Sequence, residues 1–221
     1  MGSQEVRLGA SAGRGNIVKA DLKREITTYA APRGRFEIVT VAPAQFLMID
    51  GHGDPNTAPE YADALATLYP VAYGLKFLSK NEIGRDYTVM PLEALWWADD
   101  LETFTSGRDK SQWDWTVMNL IPDWLTAAHL DVVRDRVARK SSAPVLDRLR
   151  LEPFAEGLCV QTLHLGPYDA EGPVLERLHH DVVPDNGLRL RGKHHEIYLS
   201  DARRNAPEKL RTILRQPVEP A

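Results

Sequence analysis

The segment Gly192-Lys193-His194-His195-Glu196-Ile197-Tyr198-Leu199-Ser200-Asp201 sets an acid and a phenol inside a run that otherwise reads as a buried strand. Strand side chains alternate, so His194, Glu196 and Tyr198 point one way and His195, Ile197 and Leu199 the other. A buried carboxylate is costly unless it is paired, hydrogen-bonded or open to a cavity. Glu196 therefore either pairs with one of the many nearby arginines or lines a binding or catalytic cleft with Tyr198 beside it.

A second acid with a double reading is Glu171, in Tyr168-Asp169-Ala170-Glu171-Gly172-Pro173. At the start of a helical pattern it complements the helix dipole. It also follows a turn that would overhang a cleft, where it would face Glu196. Two carboxylates in an apolar pocket differ in acidity, giving an acid and a base from identical groups. Trp96/Trp97 and Trp113/Trp115 are close pairs, and Trp124 stands alone. Each indole suits packing, while the set around Glu93 suits a wall for a flat aromatic ligand.

Other chemistries lack their residues. The chain has no phosphate-binding Gly-rich loop, no dinucleotide fingerprint and no Gly-x-Ser-x-Gly elbow. His179/His180 and His194/His195 are adjacent pairs, without the spacing of a zinc site, so neither metal nor cofactor is expected. The single cysteine, Cys159, lies in an apolar strand-like run and reads as a buried thiol in a reducing, cytoplasmic setting. A net charge of -4 and a pI near 6.0 argue against nucleic-acid or anionic-membrane partners. No apolar run reaches the roughly 20 residues of a membrane span. Residues 1–20 read as a disordered lead-in and 21–221 as one domain.

These residues are carried by a loose internal repeat, one copy over about 36–120 and the other over about 150–218. Strand-like Ala44–Ile49 leads to Gly51-His52-Gly53-Asp54-Pro55, and Leu158–His164 leads to Gly166-Pro167-Tyr168-Asp169. A helix follows each: one opens near Thr57-Ala58-Pro59-Glu60 with Tyr61, Leu65, Leu68 and Tyr69 on a stripe and a kink expected at Pro70. The other carries Val174, Leu175, Leu178 and Val182 and stops at Pro184-Asp185-Asn186-Gly187. Each helix leads to a strand with a central Glu. Laying Leu92-Glu93-Ala94-Leu95 over His195-Glu196-Ile197-Tyr198 places Glu93 and Glu196 on opposite walls of a cleft. Trp113–Met118 alternates as a strand, Pro122-Asp123-Trp124 opens a helix through Val137, and Pro207–Leu214 reads as a short helix.

Pro91-Leu92-Glu93-Ala94-Leu95-Trp96-Trp97, His164-Leu165-Gly166-Pro167-Tyr168 with Glu171, and Lys193–Asp201 continuing into Pro207–Pro217 resemble the GyrI-like small-molecule-binding family over about 36–218. The resemblance implies an α+β fold of two pseudo-symmetric βαββ repeats, forming an antiparallel sheet with a central ligand cleft (a GyrI-like or SOUL-like effector-binding fold). The long insertion and Trp-rich strands look like the stand-alone subgroup. Some of its members are cyclopropanoid cyclopropyl hydrolases, which open the ring of spirocyclopropane DNA-alkylating natural products. The partner it implies is a hydrophobic aromatic small molecule, bound by a monomer or homodimer. On this reading Glu196 is the base, Glu171 its partner and Tyr198 a donor to the ligand carbonyl. Trp97, Trp113 and Trp115 are walls, with Tyr69, Tyr87, Tyr168 and Glu93 also at the ligand. Two rivals share the residues: a non-catalytic binder that sequesters or senses hydrophobic or cationic drugs, and a partner-binding protein using Arg-rich surfaces.

Overall fold

The computed structural model describes residues 19–98, 109–140 and 142–221. Its strands are β1 (Lys19–Ala20), β2 (Glu37–Val41), β3 (Ala44–His52), β4 (Asp86–Tyr87), β5 (Leu92–Trp97), β6 (Asp114–Ile121), β7 (Arg150–Phe154), β8 (Gly157–Leu165), β9 (Leu188–Leu190), β10 (His194–Tyr198) and β11 (Arg211–Pro220). The helices are α1 (Leu22–Glu25), α2 (Pro59–Leu78), α3 (Ala127–Lys140), α4 (Gly172–Arg177) and α5 (Val183–Asp185). Nine strands form one sheet in the order β2-β8-β11-β10-β5-β6-β3-β7, with β9 on β11. None of the helices among the described residues is long and apolar enough to cross a membrane.

Six of these strands belong to two βαββ units, β3-α2-β5-β6 and β8-α4-β10-β11. Their equivalent strands β5 and β10 pair antiparallel at the centre, Glu196 opposite Ala94 and Ile197 opposite Glu93. Both unit helices also end in a five-residue π turn, Ser79–Ile83 after α2 and Leu178–Val182 after α4. The seam between the repeats thus lies between β5 and β10.

Alternation along the strands divides the core between two faces. Leu47 and Ile49 of β3 face α2 and α3, packing with Leu68, Val71, Leu75, Trp115, Leu130 and Val133. Phe46 and Met48 face the other way, with Leu95, Met118, Ile197, Ile213 and Tyr29. Helix α2 starts at Pro59, whose missing N–H costs nothing at a helix start, and runs through Pro70 to Leu78. Gly51 is required where β3 passes Trp115, since a Cβ there would fall inside the indole.

Several sequence-level expectations change. Lys19 and Ala20 are not lead-in but a strand parallel to Asp86–Tyr87, while residues 1–18 lie outside the described residues. The helix after Pro122 begins at Ala127. Pro207–Leu214 is a 3-10 turn, Pro207–Lys209, followed by β11. The spacing of Leu210 and Leu214 suggested a helix, but β11 lies between β8 and β10 and is buried from Thr212 to Val218, so its apolar residues need no alternation.

On the Phe46 face a chain of buried charges joins the two repeats. His195, fully buried, sets Nδ1 2.9 Å from Glu156 Oε1 and Nε2 3.0 Å from Glu93 Oε2. Carboxylates only accept, so both ring nitrogens carry hydrogen and the ring is an imidazolium. Burial acts to lower the His195 pKa, but Glu156 and Glu93 outweigh it and raise it to about 9. Burial acts to raise Glu156, and His195 with Arg215 brings it to about 2. Arg215 reaches Glu156 at 2.8 Å, Gln161 at 3.0 Å and the Thr28 carbonyl at 2.7 Å, and the Tyr29 hydroxyl donates to Glu93. Two carboxylates thus balance one guanidinium and one imidazolium.

Because its pKa rises on folding, the stabilisation from His195 is full below about 6.5 and is lost as pH climbs through about 9. Thermal melts across that window should show Tm falling on the alkaline side. His195→Ala should cost about 3–5 kcal/mol by stranding two buried carboxylates and should remove that alkaline decline. A wild-type Tm that stays level through pH 9 would contradict the assignment.

Candidate functional site

On the opposite, helix-bearing face the seam opens into a cavity of about 1310 Å³. Its floor is His194, Glu196 and Tyr198 of β10 beside Leu92 and Trp96 of β5; one wall is Tyr61, Leu65 and Tyr69 of α2. The pairing of His194 with Trp96 and of Tyr198 with Leu92 puts these side chains on one face. Trp113, ahead of β6, and the Tyr168–Glu171 turn complete the lining. Gly166 (φ 138°) lets the chain leave β8 and turn towards Tyr168. Across the mouth, Lys110 Nζ meets Asp169 at 2.8 Å, linking the two repeats.

The aromatic rings form two groups. Trp96 stacks on Tyr61 (6.0 Å, 23°) and meets Trp113 edge-on at 5.6 Å; Tyr168 meets Tyr198 edge-on at 5.5 Å. Trp96 Nε1 donates to the Tyr198 hydroxyl oxygen at 3.1 Å, leaving that phenol's own hydrogen for another acceptor. Burial, then Glu196 and Tyr61, raise the Tyr198 pKa well above the ordinary phenol range, so it stays neutral. Burial, with Glu171 and Glu196 nearby, pushes Tyr168 up to about 12. Glu196 is 8% exposed and Glu171 4%. Glu171 is the N-cap residue of α4, yet its side chain makes no cap hydrogen bond.

Of the residues the sequence singled out, the cavity brings together Glu196, Glu171, Tyr198, Trp113, Tyr69 and Tyr168. Four lie elsewhere. Glu93 is on the opposite face against His195, because its β10 neighbour is Ile197 rather than Glu196. Trp97, one residue past Trp96, also faces away and carries the Lys193 ammonium 3.1 Å from its ring centroid. Trp115 is fully buried beneath Tyr61, with Nε1 donating to the Gly53 carbonyl at 3.2 Å. Tyr87 is in the core, edge-on to Trp124. Sequence reasoning missed Tyr61, Trp96 and His194. The first was placed on the α2 stripe without a role; His194 was put on the face of Glu196 but given none, and Trp96 is told from Trp97 only by its pairing with His194. Among the described residues no group of three or more His, Cys, Asp or Glu is placed to hold a metal ion.

Fold and cavity together define a class: a duplicated α+β protein with a cavity on its internal seam. The chain belongs to the GyrI-like family, whose GyrI-like small molecule binding domain model matches residues 35–219. An uncharacterised conserved protein from Listeria innocua is similar at 36% identity and TM-score 0.83, over 91% of this chain and 100% of that one. A hydrolase from Listeria innocua is similar at 35% identity and TM-score 0.78, over the same shares. The EcmrR C-terminal domain, 13% identical with TM-score 0.53 over 85% of this chain and 98% of that one, shares the fold alone. No curated protein matches the chain.

An apolar fluorophore such as Nile red reports on these walls. Trp96→Ala and Trp113→Ala should each weaken its binding roughly tenfold, about 1.4 kcal/mol, while Trp97→Ala should leave it unchanged. Fluorescence titration reads the difference, and equal losses from Trp96 and Trp97 variants would refute the face assignment.

Proposed function

We propose that this protein is a detoxifying hydrolase that opens the cyclopropane ring of spirocyclopropane DNA-alkylating natural products. The observation that carries the reading is the pairing, on one strand face inside an aromatic-walled cavity, of the Glu196 carboxylate with a neutral phenol, Tyr198, whose oxygen already accepts from Trp96. The similarity to a hydrolase at 35% identity over nearly all of this chain adds support.

In the proposed reaction water attacks the unhindered ring carbon. The strained C–C bond breaks, and its electron pair passes through the dienone to the carbonyl oxygen. Glu196 takes a proton from the water as general base. Tyr198 gives its proton to the developing phenolate, a donor placed where charge appears. The proton on Glu196 then returns to the tyrosinate, so the net change is addition of one water. Glu171 either orients the water or donates a proton, and Tyr61, Tyr69, Trp96, Trp113 and Tyr168 hold the flat ligand.

A second reading is non-catalytic binding, for sequestration or sensing. It draws on Glu196 and Glu171 lying among aromatic rings, a setting that suits a hydrophobic cation.

Incubation with a duocarmycin-type spirocyclopropane, followed by chromatography and mass, separates the two. Catalytic gain of one water is expected, and Glu196→Gln should lower kcat by at least about a hundredfold with binding nearly intact. A fully active Gln variant removes the base assignment. Intact ligand recovered after tight binding to wild type favours the second reading.

A further inference from the structure

We propose that His194 is a catalytic residue of this cavity: the acceptor that holds the attacking water beside Glu196. The inference rests on the hydrolytic reading and adds a group that reading does not use. His194 lies two residues before Glu196 on the same face of β10, is 8% exposed and lines the cavity. Neither of its ring nitrogens has a hydrogen-bond partner among the described residues. Buried polar atoms are ordinarily satisfied, and those that are not point to a ligand, an ion or water. In its neighbour His195, Nδ1 is hydrogen-bonded to Glu156 at 2.9 Å and Nε2 lies 3.0 Å from the Glu93 carboxylate.

His194 Nε2 lies 3.6 Å from Glu196 Oε1. That is too long for a direct hydrogen bond and within the span of one bridging water. Such a water gives one hydrogen to Glu196 and the other to the unprotonated nitrogen of a neutral imidazole. Its remaining lone pairs are then available to the electrophilic carbon. The water oxygen bonds that carbon, the ring C–C bond breaks towards the dienone, and Glu196 takes one proton. The hydrogen held by His194 stays on the product hydroxyl, so His194 itself neither gains nor loses a proton.

His194 must be neutral to accept. The ionisable groups that line the cavity with it are Glu196 and Tyr198 on its own strand, Glu171, Tyr61, Tyr69, Tyr73, Tyr168, Lys110 with Asp169, Asp21, Lys23, Asp201, Arg203 and Arg204, and His179 of the π turn interacts with it through charge. His179 is pushed down to about 4, by burial first and then by His194 and His180, so above that range it adds no second positive charge.

The test compares wild type, His194→Phe and His194→Asn on a duocarmycin-type spirocyclopropane. His194→Phe should lower kcat about a hundredfold with KM changed less than about threefold. His194→Asn, whose side-chain carbonyl accepts the same hydrogen bond, should recover most of the rate. The acid limb of the kcat–pH profile should change between wild type and His194→Asn, a change that a merely structural role would not produce. Thermal melts check folding, and if His194→Phe is unfolded the pH profile of His194→Asn decides alone. Wild-type turnover with rates and acid limbs unchanged in the variants overturns the inference and leaves the hydrolytic reading standing. Absence of turnover by wild type overturns both.

Discussion

The buried imidazolium of His195 is the constraint around which the two halves are arranged. It lies between Glu93 of the first repeat and Glu156 of the second, and Arg215 and Tyr29 extend the chain of charges to β11 and the segment before β2. Each charge is affordable inside only because the others are there. The network also fixes the β5–β10 register. A slip of one residue would carry His195 onto the helix face and drive Glu196 among Leu95, Met118 and Ile213, stranding charges on both sides at once. The cavity floor is therefore held from the opposite face of the sheet.

Burial of a second set of ionisable groups, one residue out of phase, has a different character. On the network side every charge meets an opposite charge at hydrogen-bond distance. On the cavity side Glu196, Glu171 and His194 share an aromatic-walled space of about 1310 Å³. Adjacent residues of one short strand thus face the buried network and the cavity separately, because alternation sends them to opposite faces.

Much of this was legible in the chain itself. The alternation of His194, Glu196 and Tyr198 could be read directly, as could the duplicated strand–helix–strand order and the central pairing of its equivalent strands. The cleft partner of Glu196 could not. A two-fold axis normal to the sheet keeps faces, so β5 and β10 must be overlaid with an even offset; matching the two central glutamates is off by one. In the even overlay, taking Leu92 to His194, Glu93 corresponds to His195, and the two form an ion pair across the seam. Trp96 and Trp97 are equivalent to any composition argument, and only the pairing of Trp96 with His194 tells which faces the cavity. Trp115 was assigned to the correct face but lies a layer deeper, under Tyr61, a depth that periodicity does not carry. The β11 misreading has the same root: a strand enclosed on both sides loses the alternation by which strands are recognised.

The seam has a consequence for how a guest sits. Two perfectly repeated halves would offer the same groups from either side, and a ligand would fit equally well after a half turn. Here the first repeat supplies mostly aromatic surface, through Tyr61, Tyr69, Trp96 and Trp113, whereas Glu171, His194, Glu196 and Tyr198 all come from the second. Near-symmetry of backbone is thereby combined with an uneven division of chemistry, the buried acids and the imidazole all on one side. A molecule with one flat face and one polar end meets its complement in a single orientation, so the duplicated frame is directional towards what it holds.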